Sequence, residues 1–264
     1  MRGASLTNVS CKKSNFKKTN LSFAKLEKIN LNCANLERTE FNSAVLNKVN
    51  LDNVNGYKAK FFGTKFNDIK AANINLSFVD LRESCGNQID FNSGNFNQTS
   101  FSKTNFTHLN FERATVTNCG FQSSIIKDSH WLKANLQNTN LHQAQLENAN
   151  FTNASLVNTK FTNTTLAIVD FSQAELIETS FANAQLNNIN FAHSILISAN
   201  LEEATLNKIN FDQANLQDTN CEKTTWNDVD FKNCNVNGAV FTGAKGLTDE
   251  QKQWLKQNGA LNLA

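Results

Sequence analysis

Residues 146–196 read LENANFTNASLVNTKFTNTTLAIVDFSQAELIETSFANAQLNNINFAHSIL. Large apolar residues occupy every fifth position and alternate in kind, from Leu146, Phe151, Leu156 and Phe161 through to Phe191 and Leu196. Two residues ahead of each stands a small or β-branched one, such as Ala144, Thr159, Val169 or Ile189, and most of the rest is Asn, Gln, Thr, Ser or charge. Five helical steps of about 100° turn successive large residues by about 140°, so no helix gathers them on one face. A flat strand fails as well, because five is odd and strand side chains alternate with period two. The spacing is met when small, polar and large residues form a short extended segment, the first and third inward, and the next two turn a corner. With an even number of such sides the Leu and Phe columns stay uniform; four sides predict a coil of 20 residues.

The beat runs outward in both directions, from Leu6 to Phe241. Of the 21 Phe, 18 lie on it, so the repeat is not an accident of composition. Only Gly56, Ala71 and Gly86 leave an inward position unfilled, and at Gly56 and Gly86 a bulge, a kink or a slack interior is expected unless the glycines are simple drift. At about 4.8 Å per coil, roughly twelve coils make a rod about 58 Å long.

Ala134-Asn135-Leu136-Gln137-Asn138, Ala144-Gln145-Leu146-Glu147-Asn148 and Ala214-Asn215-Leu216-Gln217-Asp218 carry a further signal. They resemble the A(N/D)LXX consensus of the pentapeptide-repeat family. The resemblance implies an all-β, right-handed quadrilateral β-helix. It also implies two kinds of function. Several bacterial members bind other proteins as non-enzymatic scaffolds, among them secreted effectors and regulators of development. Others mimic a DNA duplex and bind type II topoisomerases, protecting gyrase from quinolones or peptide toxins.

A solenoid grows by stacking, so 264 residues need not mean two globular domains. Residues 1–246 are expected to form one solenoid and 247–264 a capping helix and tail. Pro is absent, as suits a stack that uses its backbone N–H groups between coils. In the C-terminal segment Thr248 reads as an N-cap with Gln251 completing a capping box, and Leu247, Trp254 and Leu255 give the helix an apolar side. That side either covers the last coil or mediates a homodimer through the solenoid end. The six cysteines lack zinc-site spacing, and Cys11, Cys119, Cys221 and Cys234 fall on inward positions, which favours buried reduced thiols. Neither a signal peptide nor a membrane span is read, so the cytoplasm is the expected location, with secretion by a signal-less route left open.

Catalysis finds little footing: His108, His130, His142 and His193 are scattered over different coils and sides, no Gly-rich phosphate loop, HExxH or GxSxG motif occurs, and no cofactor or metal is called for. Columns of outward residues twenty apart are the better guide. Lys18, Arg38 and Lys58 share one, Glu202 and Glu222 another, and Val157, Ile177 and Ile197 a third with Ile195 beside it. The aliphatic column is either an interaction patch or a β-branched ladder that steadies stacked strands. Phe23, Phe62 and Phe78, the Phe outside the beat, are weaker candidates. Residues 1–80 hold 13 Lys/Arg against 6 Asp/Glu, and residues 131–264 hold 8 against 13, a division that either orients a partner or merely solvates the surface. A protein partner along the surface is the leading expectation. A type II topoisomerase is the alternative, although a chain of net charge +2 is a poor mimic of a polyanion. Nucleic acid is disfavoured as a partner, because aromatic residues are thinly interleaved with the cations.

Overall fold

The structure, a computed structural model, describes residues 1–231 and 233–263. Its chain divides into two compact units, residues 1–135 and 136–264. The first contains the parallel strands β1 (Ser5–Thr7), β2 (Lys25–Glu27), β3 (Val45–Asn50), β4 (Lys65–Lys70), β5 (Cys85–Asp90), β6 (Asn105–Asn110) and β7 (Ile125–His130). In the second lie β8 (Gln145–Asn150), β9 (Thr165–Asp170), β10 (Gln185–Asn190), β11 (Thr205–Asn210), β12 (Thr225–Asp230) and the helix α1 (Asp249–Gln257). Within each unit every strand pairs in parallel with the next, and each residue faces the one twenty later, as in Val45↔Lys65 and Gln185↔Thr205. From β3 onward each strand spans two sides, so the column begun by Asn30↔Asn50 continues within the strands, and two further ladders of single bridges, exemplified by Asn35↔Asn55 and Glu40↔Lys60, carry the same register. Four ladders at five-residue intervals define a four-sided β-solenoid.

The corners explain the sequence pattern. In the turn of the coil at Phe151, Ala154 N donates to Phe151 O at 2.9 Å, and Thr159 N to Leu156 O at 3.0 Å closes the next corner. The third residue of each turn takes a positive φ, for example Asn153 at 58° and Asn158 at 56°. Asn tolerates this left-handed conformation better than most residues. Another Asn or Asp, standing just before the large residue, receives the corner's free N–H on its side chain: Thr152 N donates to Asn150 Oδ1 and Ser172 N to Asp170 Oδ1, each at 2.8 Å. Hence the repeat spells small, Asn or Asp, large, and then two turn residues.

Inward residues fill the coils. In the second unit Phe151, Phe171, Phe191 and Phe211 form a stacked column with ring centroids 5.0, 5.3 and 5.2 Å apart. Neighbours within a coil meet edge to face, as do Phe171 and Phe181 at 5.9 Å. Inward hydroxyls find carbonyl partners: Thr179 Oγ1 donates to Leu156 O at 2.7 Å and Thr159 Oγ1 to Leu136 O at 2.9 Å.

Gly56 and Gly86 produce neither bulge nor kink. Gly86 keeps the register, facing Phe66 on one side and Phe106 on the other. Those two rings lean across it to a centroid distance of 6.3 Å, and Phe66 Cβ lies only 2.8 Å from where a Cβ on Gly86 would stand. Leu76 closes the space at Gly56 in the same way. Cys11 also departs from expectation. It is half-buried rather than buried, because it belongs to the first coil, which is covered from one side only.

Candidate interaction surfaces

Hydrogen bonds tie the outward residues of successive coils to one another, so the surface is a set of ordered columns. Asn207 Nδ2 donates to Asn187 Oδ1 at 2.7 Å and Asn210 Nδ2 to Asn190 Oδ1 at 3.0 Å. Val157, Ile177 and Ile197 stand in one corner column: Asn158 N donates to Ile177 O and Glu178 N to Ile197 O, both at 3.0 Å. At this outward turn position each of the three is half-buried. Ile195, on the adjoining side, is 40% exposed and bridges Glu175 and Asn215. Ile168 is an apolar position that the sequence reading missed. It is exposed at the positive-φ site of a corner, where a β-branched side chain is out of place. Its place as the third residue of a turn was countable from the five-residue beat.

Glu202 and Glu222 follow one another at a corner of the second unit and do not form a bare acidic ladder. Lys223 Nζ lies 3.0 Å from Glu202 Oε1 and 3.1 Å from Glu203 Oε1. These hydrogen bonds raise the lysine pKa. At the end of this unit Leu247 and Leu255 are buried and Trp254 is half-exposed. The capping box of α1 is formed, with Gln251 N donating to Thr248 Oγ1 at 3.2 Å and Thr248 N to Gln251 Oε1 at 2.9 Å. Gln251 Nε2 then donates to Val229 O at 2.8 Å, fastening the helix to β12. A shallow recess between them is lined by Asp230, Phe231, Glu250, Gln251 and Trp254.

In the first unit Lys18, Arg38 and Lys58 share a corner column, all at positive φ, with Phe78 next in line. Lys17 Nζ pairs with Glu37 Oε2 at 2.7 Å, and Arg38 Nε lies 3.8 Å from Glu37 Oε1. The hydrogen bond from Lys17, helped by the charges of Arg38 and Lys18, holds the Glu37 carboxyl below its usual pKa. Tyr57 meets Phe78 edge-on at 5.5 Å, and Lys58 Nζ stands 5.1 Å from the Tyr57 ring and 5.5 Å from that of Phe78. The sequence reading separated these residues, yet column arithmetic would have joined them, since 58 and 78 differ by one coil.

His108 Nδ1 lies 2.8 Å from Asn87 Oδ1 and His142 Nδ1 2.8 Å from Thr162 Oγ1, while His130 and His193 sit at exposed positions of other coils. Among the described residues no three His, Cys, Asp or Glu side chains are placed to hold one metal ion. Burial pushes the Cys119 and Cys234 thiols up to about 12, and Cys221 higher still. No helix among the described residues is long and apolar enough to cross a membrane.

Family models match most of the chain. One, described as a pentapeptide repeat region, matches residues 124–200 and 169–241; a second, pentapeptide repeats (8 copies), matches 1–32, 19–55 and 87–122. No curated protein matches. Solved structures similar to it include HetL from the cyanobacterium Nostoc sp. strain PCC 7120, a pentapeptide repeat protein involved in heterocyst differentiation regulation. It is 18% identical over 92% of this chain and 89% of that one, with a TM-score of 0.46. Another is QnrB1, a plasmid-mediated fluoroquinolone resistance protein, 15% identical over 74% of this chain and 87% of its own, with a TM-score of 0.47. A third is Rfr23 from the cyanobacterium Cyanothece 51142, 23% identical over 46% and 63% of the two chains, with a TM-score of 0.22.

Proposed function

Because the chain belongs to the pentapeptide-repeat family, we propose that it is a non-enzymatic scaffold that binds a protein partner along the sides of its solenoid. One observation carries this reading: outward side chains are fixed in hydrogen-bonded columns, such as Asn187–Asn207 and Asn190–Asn210. A surface ordered before binding loses little conformational entropy when a partner docks. In the second unit Ile195, with the half-buried Ile177 and Ile197 at the next corner, supplies an apolar centre within a polar surround. The buried protonated thiols suit a reducing compartment, and we place the protein in the cytoplasm on that ground. Binding to a type II topoisomerase as a duplex mimic is the weaker reading, since the chain carries a net charge of +2 and Lys223 bridges Glu202 and Glu203, two of the carboxylates that would stand in for phosphates.

Affinity capture from native lysate, read by mass spectrometry, tests the proposal. A protein retained by the wild type is expected to be lost with the Ile177→Asp and Ile195→Asp variants, while circular dichroism stays unchanged. Identical capture profiles would make the aliphatic residues purely structural and remove this surface as the docking site.

A further inference from the structure

One side of the first unit carries a surface of a different kind. Its outward residues are Asn20, Glu40, Lys60 and Asp80, laddered one coil apart. Two corners bound it, one holding Lys18, Arg38, Tyr57, Lys58 and Phe78 and the other Arg2, Phe23, Phe62 and Arg82. All three Phe outside the inward frame, and the one Tyr of the chain, therefore flank a single side.

A cation lies over each of these rings. Arg2 Cζ is 4.9 Å from the Phe23 centroid, Lys58 Nζ is 5.1 and 5.5 Å from Tyr57 and Phe78, and Arg82 Cζ is 5.9 Å from Phe62. Phe23, Phe62 and Phe78 are nonetheless exposed residues, at 51%, 37% and 41%. Phe23 and Phe78 also hold positive φ, 62° and 61°, a position that the repeat elsewhere fills mostly with polar or charged residues and with no other Phe, Tyr or Trp. Placing a bulky aromatic in a left-handed corner and leaving it exposed serves neither folding nor solubility, and such strain gathers at functional sites. The carboxylates of this side are already neutralised: Lys60 pairs with Glu40 at 3.0 Å and Arg82 with Asp80 at 2.8 Å. Lys18 and Lys58 make no ion pair among the described residues.

From this arrangement we infer that the side bounded by Tyr57, Lys58, Phe62, Phe78 and Arg82 binds single-stranded nucleic acid, bases on the rings and phosphates on Lys18 and Lys58, cations not already held by a carboxylate. A ring with a cation about 5–6 Å away, repeated across the surface, matches the nucleotide repeat of a flat base joined to a phosphate. An acidic peptide would satisfy the charges and leave the rings without a stacking partner. A duplex keeps its bases inside its own stack, so the surface selects the single strand. The sequence reading set nucleic acid aside because cations and aromatics are not interleaved along the chain; the fold interleaves them across coils instead. This inference does not depend on the protein partner proposed above, which was assigned to the other unit.

Fluorescence anisotropy of labelled oligothymidylate and oligodeoxyadenylate with the full chain tests it, beside the matching duplex and polyglutamate as competitors. The expected result is binding to the single strands that weakens as salt rises, with duplex and polyglutamate competing poorly. Phe78→Asn and Phe62→Ala should each weaken binding at least roughly five-fold, the lower end of what base stacking contributes. Asn suits positive φ, so the Phe78→Asn variant keeps its fold, and Ile195→Asp serves as a control with unchanged affinity. Absence of salt-sensitive binding, or affinity indifferent to both ring variants, would overturn the inference. Equal competition by polyglutamate would overturn it in favour of an acidic protein segment, and equal competition by duplex would overturn the stacking role of the rings.

Discussion

At the scale of single residues, the pentapeptide assigns a separate task to each place: an inward small residue, a side-chain acceptor for the corner, an inward large residue, and two turn positions. A cysteine at an inward place inherits the dryness of the core. Cys119 donates its thiol to Phe96 O at 2.8 Å, and burial moves its pKa from 9.0 up to about 12. Cys221 is fully buried and is moved in the same direction by the same cause. A folded-state pKa above the unfolded one means that the stabilising effect is complete below about pH 9. It is lost as the pH climbs toward the folded value, because only the unfolded chain then releases its proton. Chemical denaturation at stepped pH is therefore expected to show stability falling above about pH 9, more gently in a Cys119→Ala, Cys221→Ala variant than in the wild type. Parallel alkaline limbs in the two proteins would mean that the thiols take no part.

At the scale of elements, the columns of inward rings hold successive coils together. Phe171 is wholly buried between Phe151 and Phe191, its ring nearly parallel to both at 17° and 7°. Phe171→Ala removes both stacking partners' contact and opens a cavity that the coils above and below cannot collapse to fill, at a cost of about 3–5 kcal/mol. Urea unfolding followed by circular dichroism measures it, and a loss below about 1 kcal/mol would show that the coils close up around the gap. This layer of the structure was legible beforehand, because an inward position every five residues is a steric constraint that any chain in this fold must meet. The capping box at Thr248 and Gln251 was legible for the same reason, being local chemistry over four residues. What escaped was the state of side chains at corners. Val157, Ile177 and Ile197 share the column assigned to them, but how far a corner side chain is covered depends on its neighbours one coil away. The filling of Gly86 by Phe66 and Phe106 likewise involves residues forty apart, a distance at which the beat gives the column and not the lean of a ring.

At the scale of the whole molecule, the two units present different chemistry to a partner: exposed rings beside cations in the first, aliphatic residues and lysine-bridged carboxylates in the second. Each surface exists only because residues twenty apart are neighbours, so the register is the claim on which the proposals stand. Asn187 and Asn207 face one another in adjacent strands, within the Cα range that a disulfide spans, whereas Asn187 and Ile197 lie half a coil apart. The direct measurement is disulfide formation, mapped by mass spectrometry, in Asn187→Cys, Asn207→Cys and in Asn187→Cys, Ile197→Cys proteins that also carry Cys33→Ser. The account predicts a rapid bond between positions 187 and 207 and none between 187 and 197. A bond in the second protein, or its absence in the first, would contradict the twenty-residue coil.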